Sequence, residues 1–227
     1  MMIRAVLFDL AGTLIRAAHP AEIIRRILEK HGVKRPIEEI ALAHRGVEED
    51  ASLGDYELPY YDFWVNWNKK ILQRLQIYEK TDFLARALVD EWWDNADLEI
   101  YPDVEETLAE LKNMGLKLGV ITNAFEEDIV EIFKRVKAPQ VFDIYVGIDT
   151  VKRPKPNPEI FLHALQALEV RPRETIYVGD DLERDYIGAL RAGLKAILID
   201  RNFAYSDRQD LIKIRRLHEL LSFIILG

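Results

Sequence analysis

Asp9 closes the apolar run 3–9, and Thr122-Asn123 closes the run 117–122. Lys155 stands between prolines in Arg153-Pro154-Lys155-Pro156-Asn157-Pro158, and Gly179-Asp180-Asp181 follows the run 175–178, with Asp185 shortly after. If the runs are parallel strands, their carboxyl ends share one edge, the place where α/β sheets bind ligands. Asp9, Asp180 and Asp185 would then crowd together. Two like charges at about 4 Å repel by roughly 4 kcal/mol at an effective dielectric of ~20, so such a cluster needs compensation. A Mg²⁺ ion suits it, because that ion takes a few carboxylates and leaves positions open for phosphate oxygens. Lys155 adds a positive point charge, and Thr122 and Asn123 add neutral donors. Carboxylate, cation, lysine and hydroxyl together suit phosphoryl transfer, with Asp9 as a nucleophile that forms an acyl phosphate.

The elements that must position these groups follow from periodicity. Residues 3–9 read as a buried strand followed by the turn Ala11-Gly12-Thr13. From about 20 to 97 the pattern is helical: Ile23, Ile24, Ile27 and Leu28 share one face, Phe63, Trp64, Trp67, Ile71, Leu72 and Leu75 a second, and Phe83, Leu84, Ala87, Leu88 and Trp92 a third. Beyond Pro102 helices and strands alternate. Helices at 104–114, 128–136, 158–168 and 185–192 lead to strands at 117–122, 142–148, 175–178 and 195–199, a pattern for a parallel sheet covered on both faces. The first strand lacks a helical return of its own. Residues 15–98 therefore read as an all-helical insertion in an α/β core made of 1–14 and 99–227, with hinges near 15–20 and 98–102.

Composition narrows the field. Lys+Arg 31 against Asp+Glu 39 gives a net charge of −8 in 227 residues, which disfavours a nucleic-acid partner. The chain has no cysteine, so thiolate nucleophiles, disulfides and Cys-ligated metals are excluded. The longest apolar run, 220–226, is too short to span a bilayer. No signal peptide is evident, so a cytoplasmic location is expected. The same run is expected to pack on the core as a last helix or to form a dimer contact, giving a monomer or a homodimer.

The stretches Asp9-Leu10-Ala11-Gly12-Thr13-Leu14, Ile121-Thr122-Asn123, Lys155-Pro156-Asn157-Pro158-Glu159-Ile160-Phe161 and Val178-Gly179-Asp180-Asp181, continued by Asp185-Tyr186-Ile187-Gly188-Ala189, resemble the four ordered motifs of the haloacid dehalogenase-like hydrolases. The resemblance implies a Rossmann-like core with a four-helix cap over 15–98 that closes on the site. It also implies an aspartyl nucleophile at Asp9, a phosphate-binding hydroxyl at Thr122, and Lys155 holding nucleophile and phosphate. Asn123, Gly12 and Thr13 would contact substrate. Mg²⁺ would rest on Asp9, the Ala11 carbonyl, Asp180 and Asp185, and the substrate would be a small phosphorylated metabolite.

One position departs from the pattern. Most phosphatases of this superfamily carry a second Asp two residues after the nucleophile as general acid and base, and here that residue is Ala11. Loss of such help typically costs ~10²–10⁴ in rate. Three kinds of reading follow: a phosphatase impaired or altered at this step, a related hydrolase, or a catalytically silent protein that binds phosphometabolites. The related hydrolases are a phosphonatase-like enzyme, which also has Ala here but needs a cap lysine, and a 2-haloacid dehalogenase-like enzyme, whose branch lacks the Gly-Asp-Asp carboxylates. His19, in the hinge, is a candidate substitute proton donor.

Overall fold

The computed structural model describes residues 2–225 and divides into two compact units, one containing the chain up to Arg16 and from Glu99 onward, the other Ala17–Leu98. In the first unit a six-stranded sheet has the order β5-β4-β1-β6-β7-β8, with every neighbouring pair parallel. Its strands are β1 (Ala5–Phe8), β4 (Lys117–Ile121), β5 (Ile144–Val146), β6 (Thr175–Gly179), β7 (Lys195–Ile199) and the two-residue β8 (Lys213–Ile214). Two further short strands, β2 (Ile15–Arg16) and β3 (Glu99–Ile100), pair antiparallel with each other. Ile15 and Arg16, expected in the inserted segment, thus belong with the sheet unit as a strand that pairs with the returning chain.

β1 is wholly buried, as an apolar run between two helical layers must be. Alternation along the strand sends Ala5 and Leu7 to one face, where they join Ile121, Val146, Phe161, Tyr177 and Leu198. The opposite face includes Phe8, whose ring meets Phe142 edge-on at 6.3 Å. Helices α5 (Val104–Asn113), α6 (Glu126–Val136), the short α7 (Ile148–Val151) and α8 (Pro158–Ala167) connect the strands. The expected helix at 185–192 is different. Residues Leu182–Ile187 form a π-helical turn, in which both Asp185 and Tyr186 donate their N–H to the Asp181 carbonyl at 3.0 and 3.1 Å, and α9 is only Gly188–Arg191. A final helix, α10, spans Leu220–Ile225 and buries Leu220 fully; Leu226, the end of the expected apolar tail, lies outside the described residues.

The second unit holds, among the described residues, four α-helices: α1 (Pro20–Lys30), α2 (Ile37–Glu49), α3 (Tyr60–Arg74) and α4 (Thr81–Asp90). The α1 stripe Ile23, Ile24, Ile27 and Leu28 is buried, and Gly32 ends it at φ +81°. On α4, Leu84 and Leu88 are buried but Phe83 is 54% exposed: one residue is 100° of helix rotation, enough to carry it off the apolar face. Among the described residues no helix is long and apolar enough to cross a membrane.

Gly119 in β4 shows how closely the sheet face is filled. A Cβ there would lie 2.6 Å from Ile144 Cγ2 and 2.7 Å from Leu7 Cδ2. Gly119→Ala is expected to lower the unfolding free energy by ~1–3 kcal/mol through overpacking, read as a shifted urea midpoint at unchanged slope. An unmoved midpoint would contradict the packing described.

Candidate active site

Because β1 lies between β4 and β6, the residues that leave these three strands meet at one edge. Phe8 is level with Val120 and Val178, so Asp9 is one step from Thr122 on one side and Asp180 on the other. Backbone hydrogen bonds fix the level: the Asp9 N–H donates to the Val178 carbonyl at 2.9 Å and the Thr122 N–H to the Val146 carbonyl at 3.0 Å.

Lys155 reaches the centre of this edge from the segment between α7 and α8. Its Nζ lies 2.6 Å from Asp9 Oδ1, 2.7 Å from Asp185 Oδ1, 3.0 Å from the Tyr177 hydroxyl and 3.1 Å from the Ile121 carbonyl. The ammonium is almost completely enclosed. Asn123 grips the lysine's backbone at both ends of its amide: Oδ1 accepts from the Lys155 N–H at 2.7 Å and Nδ2 donates to the Lys155 carbonyl at 3.1 Å. Expected at the substrate, the Asn123 side chain is instead engaged in holding Lys155. Thr122 is buried, and its Oγ1 accepts from the Ala124 N–H at 3.2 Å, which leaves the hydroxyl proton for another acceptor.

Two glycines let the carboxylates approach. A Cβ on Gly12, which sits at φ +84°, would fall 2.1 Å from Asp180 Oδ2, so a side chain there would strain the backbone and displace the Asp180 carboxylate. A Cβ on Gly179 would meet Asp185 Cβ at 2.4 Å. The π turn and this glycine together bring Asp185 back under the sheet edge, where its Oδ2 accepts the Asp181 N–H at 3.0 Å. Asp181 itself caps the turn, accepting from the Glu183 and Arg184 N–H groups at 3.0 and 2.8 Å. Thr13, another expected substrate contact, is wholly enclosed, and its Oγ1 has no hydrogen-bond partner among the described residues. Ala11, at the start of the turn that follows Asp9, is exposed. His19 caps α1, its Nδ1 accepting the Ala21 N–H at 3.2 Å.

Tyr177 has no place in the sequence-based site, yet its hydroxyl touches Lys155 and donates to Asp185 Oδ1 at 3.0 Å. Burial, then the Asp185 and Asp9 charges, push its hydroxyl well above the usual tyrosine value, so it stays a donor. The available signal was a polar tip in an otherwise apolar strand.

The electrostatics carry an imbalance. Asp9, Asp180 and Asp185 each offer a carboxylate oxygen within 4.8 Å of the others, against one ammonium. Burial pushes the Asp9 carboxyl up to about 7; Lys155 opposes this, and Asp185 and Asp180 reinforce it. Desolvation and then Asp185 lift Asp180 to about 6. Burial works against the Lys155 charge, but Asp185 and Asp9 prevail and hold it above the usual lysine value. Three hard oxygen donors with surplus negative charge fit a divalent cation in donor type, spacing and sign.

A parallel sheet with an acidic carboxyl-terminal edge and a central lysine is an α/β arrangement suited to binding and transferring a charged group. The family model for haloacid dehalogenase-like hydrolases matches residues 3–193, and the chain belongs to that family; it is a hydrolase. It is 33% identical over 214 residues to a glyceraldehyde 3-phosphate phosphatase of Methanopyrus kandleri, covering 92% of this chain and 88% of that one. Among solved structures, a phosphatase of the same superfamily from Thermococcus onnurineus is 28% identical, with TM-score 0.69 and coverage of 99% and 98%. A 2-haloacid dehalogenase from Pseudomonas syringae is 25% identical, with TM-score 0.70 over 99% of both chains.

The raised Asp9 value sets a sign for stability. Between the ordinary value of 3.8 and about 7 the folded state holds a proton that the unfolded chain has released, so stability falls as pH rises through that window. In metal-free protein, the stability of the parent relative to Asp9→Asn is expected to decline across this range, and added divalent cation is expected to raise the parent's unfolding midpoint at pH 8. Denaturant titrations with chelator and with cation measure both; a flat difference would remove the crowding described.

Proposed function

We propose that this hydrolase is a Mg²⁺-dependent phosphatase of small phosphorylated metabolites that works through an aspartyl-phosphate on Asp9. The observation that carries this reading is the enclosed Lys155 ammonium shared by Asp9 and Asp185, with Asp180 completing the acidic cluster. The phosphatase relatives support the reaction class.

Asp9, the Ala11 carbonyl, Asp180 and Asp185 would hold the Mg²⁺. Bound there, the ion supplies charge neutralisation for the nucleophile and the phosphate. With Lys155 on Asp9 Oδ1, Oδ2 is the oxygen that attacks phosphorus. Its bond to phosphorus forms as the bond from phosphorus to the alcohol oxygen breaks, and the electron pair leaves with that oxygen. Lys155 counters charge on the transferring group, and the Thr122 hydroxyl donates to a phosphate oxygen. Water then attacks phosphorus, frees phosphate and regenerates the Asp9 carboxylate, with the water's proton passing to solvent. The inserted helical segment is proposed as the cap that sets substrate choice.

Related chemistries find less support. Lys69 and Lys70, the lysines of α3, are in ion pairs with Asp82 and with Asp55, the latter at 2.5 Å, rather than in the apolar enclosure that suits a Schiff-base lysine. The three carboxylates would hold a cation for which carbon–halogen cleavage has no role.

Ala11 cannot protonate a leaving group. Aryl phosphates, which leave without a proton, are therefore expected to be hydrolysed ~10²-fold or more faster than alkyl phosphates, and Ala11→Asp to raise alkyl turnover most. Asp9→Asn is expected to abolish both. Steady-state rates with para-nitrophenyl phosphate and glycerol phosphate across a Mg²⁺ titration measure this. Equal rates on the two esters would point to a substitute acid such as His19. Inertness of the parent towards a broad phosphate panel that it nevertheless binds would favour the silent binding protein.

A further inference from the structure

Arg201 follows the end of β7 and is nearly enclosed, at 11% side-chain exposure. Its Nη1 and Nη2 each donate to Asp103 at 3.1 Å, and Nη2 also donates to the Thr13 carbonyl at 2.8 Å. The guanidinium carbon stacks 3.8 Å over the Tyr101 ring. Nε is buried with no partner among the described residues. A buried donor left unmade is a cost that a simple surface staple avoids. Asp103 is itself held, accepting the Leu217 N–H at 2.6 Å, and the Tyr101 N–H donates to the Leu14 carbonyl at 3.1 Å.

We propose that Arg201 is a positioning residue for the phosphoryl-transfer site, acting through the Thr13 carbonyl on the turn that follows Asp9. That turn is closed by Leu14 and Ile15 N–H groups donating to the Leu10 carbonyl at 2.9 and 3.0 Å, and by the Gly12 N–H donating to the Ile15 carbonyl at 2.8 Å. On its other side Gly12 lies against the Asp180 carboxylate, which even a methyl group there would displace. Thr13 is held from behind and Gly12 meets the acidic cluster in front. A displaced turn changes the room left for the Asp180 carboxylate and the aim of Asp9. The planar fork suits this task because it reaches Asp103 and Thr13 together, which a lysine's point charge does not. The catalytic part of the inference rests on the proposed function; the mechanical part does not.

The test uses full-length Arg201→Ala, with Arg201→Lys in its place should the alanine variant fail to fold. Amide hydrogen exchange at Leu14 and Ile15 is expected to quicken about tenfold, while β6 amides keep their protection. Calorimetric titration with MgCl₂ is expected to show weaker binding than in the parent. With para-nitrophenyl phosphate, kcat is expected to fall about 30- to 100-fold while KM changes less than about threefold, because misplacement harms reaction more than binding. Ethylguanidinium is expected to restore part of the alanine variant's lost rate where ethylammonium does not. Unchanged exchange in the turn overturns the proposal whatever happens to the rate, and so does quickened exchange with unchanged kcat. If the parent hydrolyses no phosphate ester, the proposed function fails separately; exchange and MgCl₂ binding then decide whether Arg201 positions the turn.

Discussion

One ammonium group shared among desolvated carboxylates is the constraint on which the molecule depends. Taking Lys155, Asp9 and Asp185 out of water costs more than their mutual attraction reliably returns, so the arrangement is poor as a source of stability. It persists because the surrounding structure over-determines it. Asn123 holds the lysine's backbone, Tyr177 braces its tip, and the Asp181 N–H fixes Asp185 from behind. Asn123 follows β4 and Tyr177 lies in β6, so the parallel sheet must form for these two to meet Lys155, whereas the Asp181–Asp185 contact is local to the turn.

The surplus negative charge gives the site its appetite for a cation. Asp9 and Asp180 are both held above ordinary carboxylate values, chiefly by desolvation, and their neighbours add repulsion. Gly12 and Gly179 keep the carboxylates close to the backbone and to one another. A stable fold alone would favour relaxing this crowding with a larger residue or a second base. Its retention agrees with membership of a hydrolase family, in which local conflict is tolerated where chemistry occurs.

Asp9, Thr122 and Asp180 were legible in the sequence because each closes or follows an apolar run, and parallel strands gather such positions at one edge; Lys155 was legible as a lysine set between prolines. What each side chain does there was less accessible. Asn123 and Lys155 are 32 residues apart, and only the register of the folded edge shows that the amide holds the lysine. Tyr177 looks like core from its strand pattern; its hydroxyl matters because Asp185 is brought back beneath it. That return depends on a π turn, whereas the apolar period predicts an ordinary helix over the same residues. Thr13 reads as a loop hydroxyl, but the turn closes it inside. The two-residue strand β8 is too short to leave a periodic signal.

The ribbon of β2 and β3 has an architectural consequence. Ile15 faces Ile100 and Arg16 faces Glu99, so the chain departs and comes back through adjacent residues, with the Arg16–Glu99 ion pair across the gap. A segment whose two ends are neighbours imposes almost no spacing requirement on its host, and loop-closure entropy changes only slowly with the length in between. The passenger's length and surface can therefore change with little effect on the closure of the sheet and its charged edge.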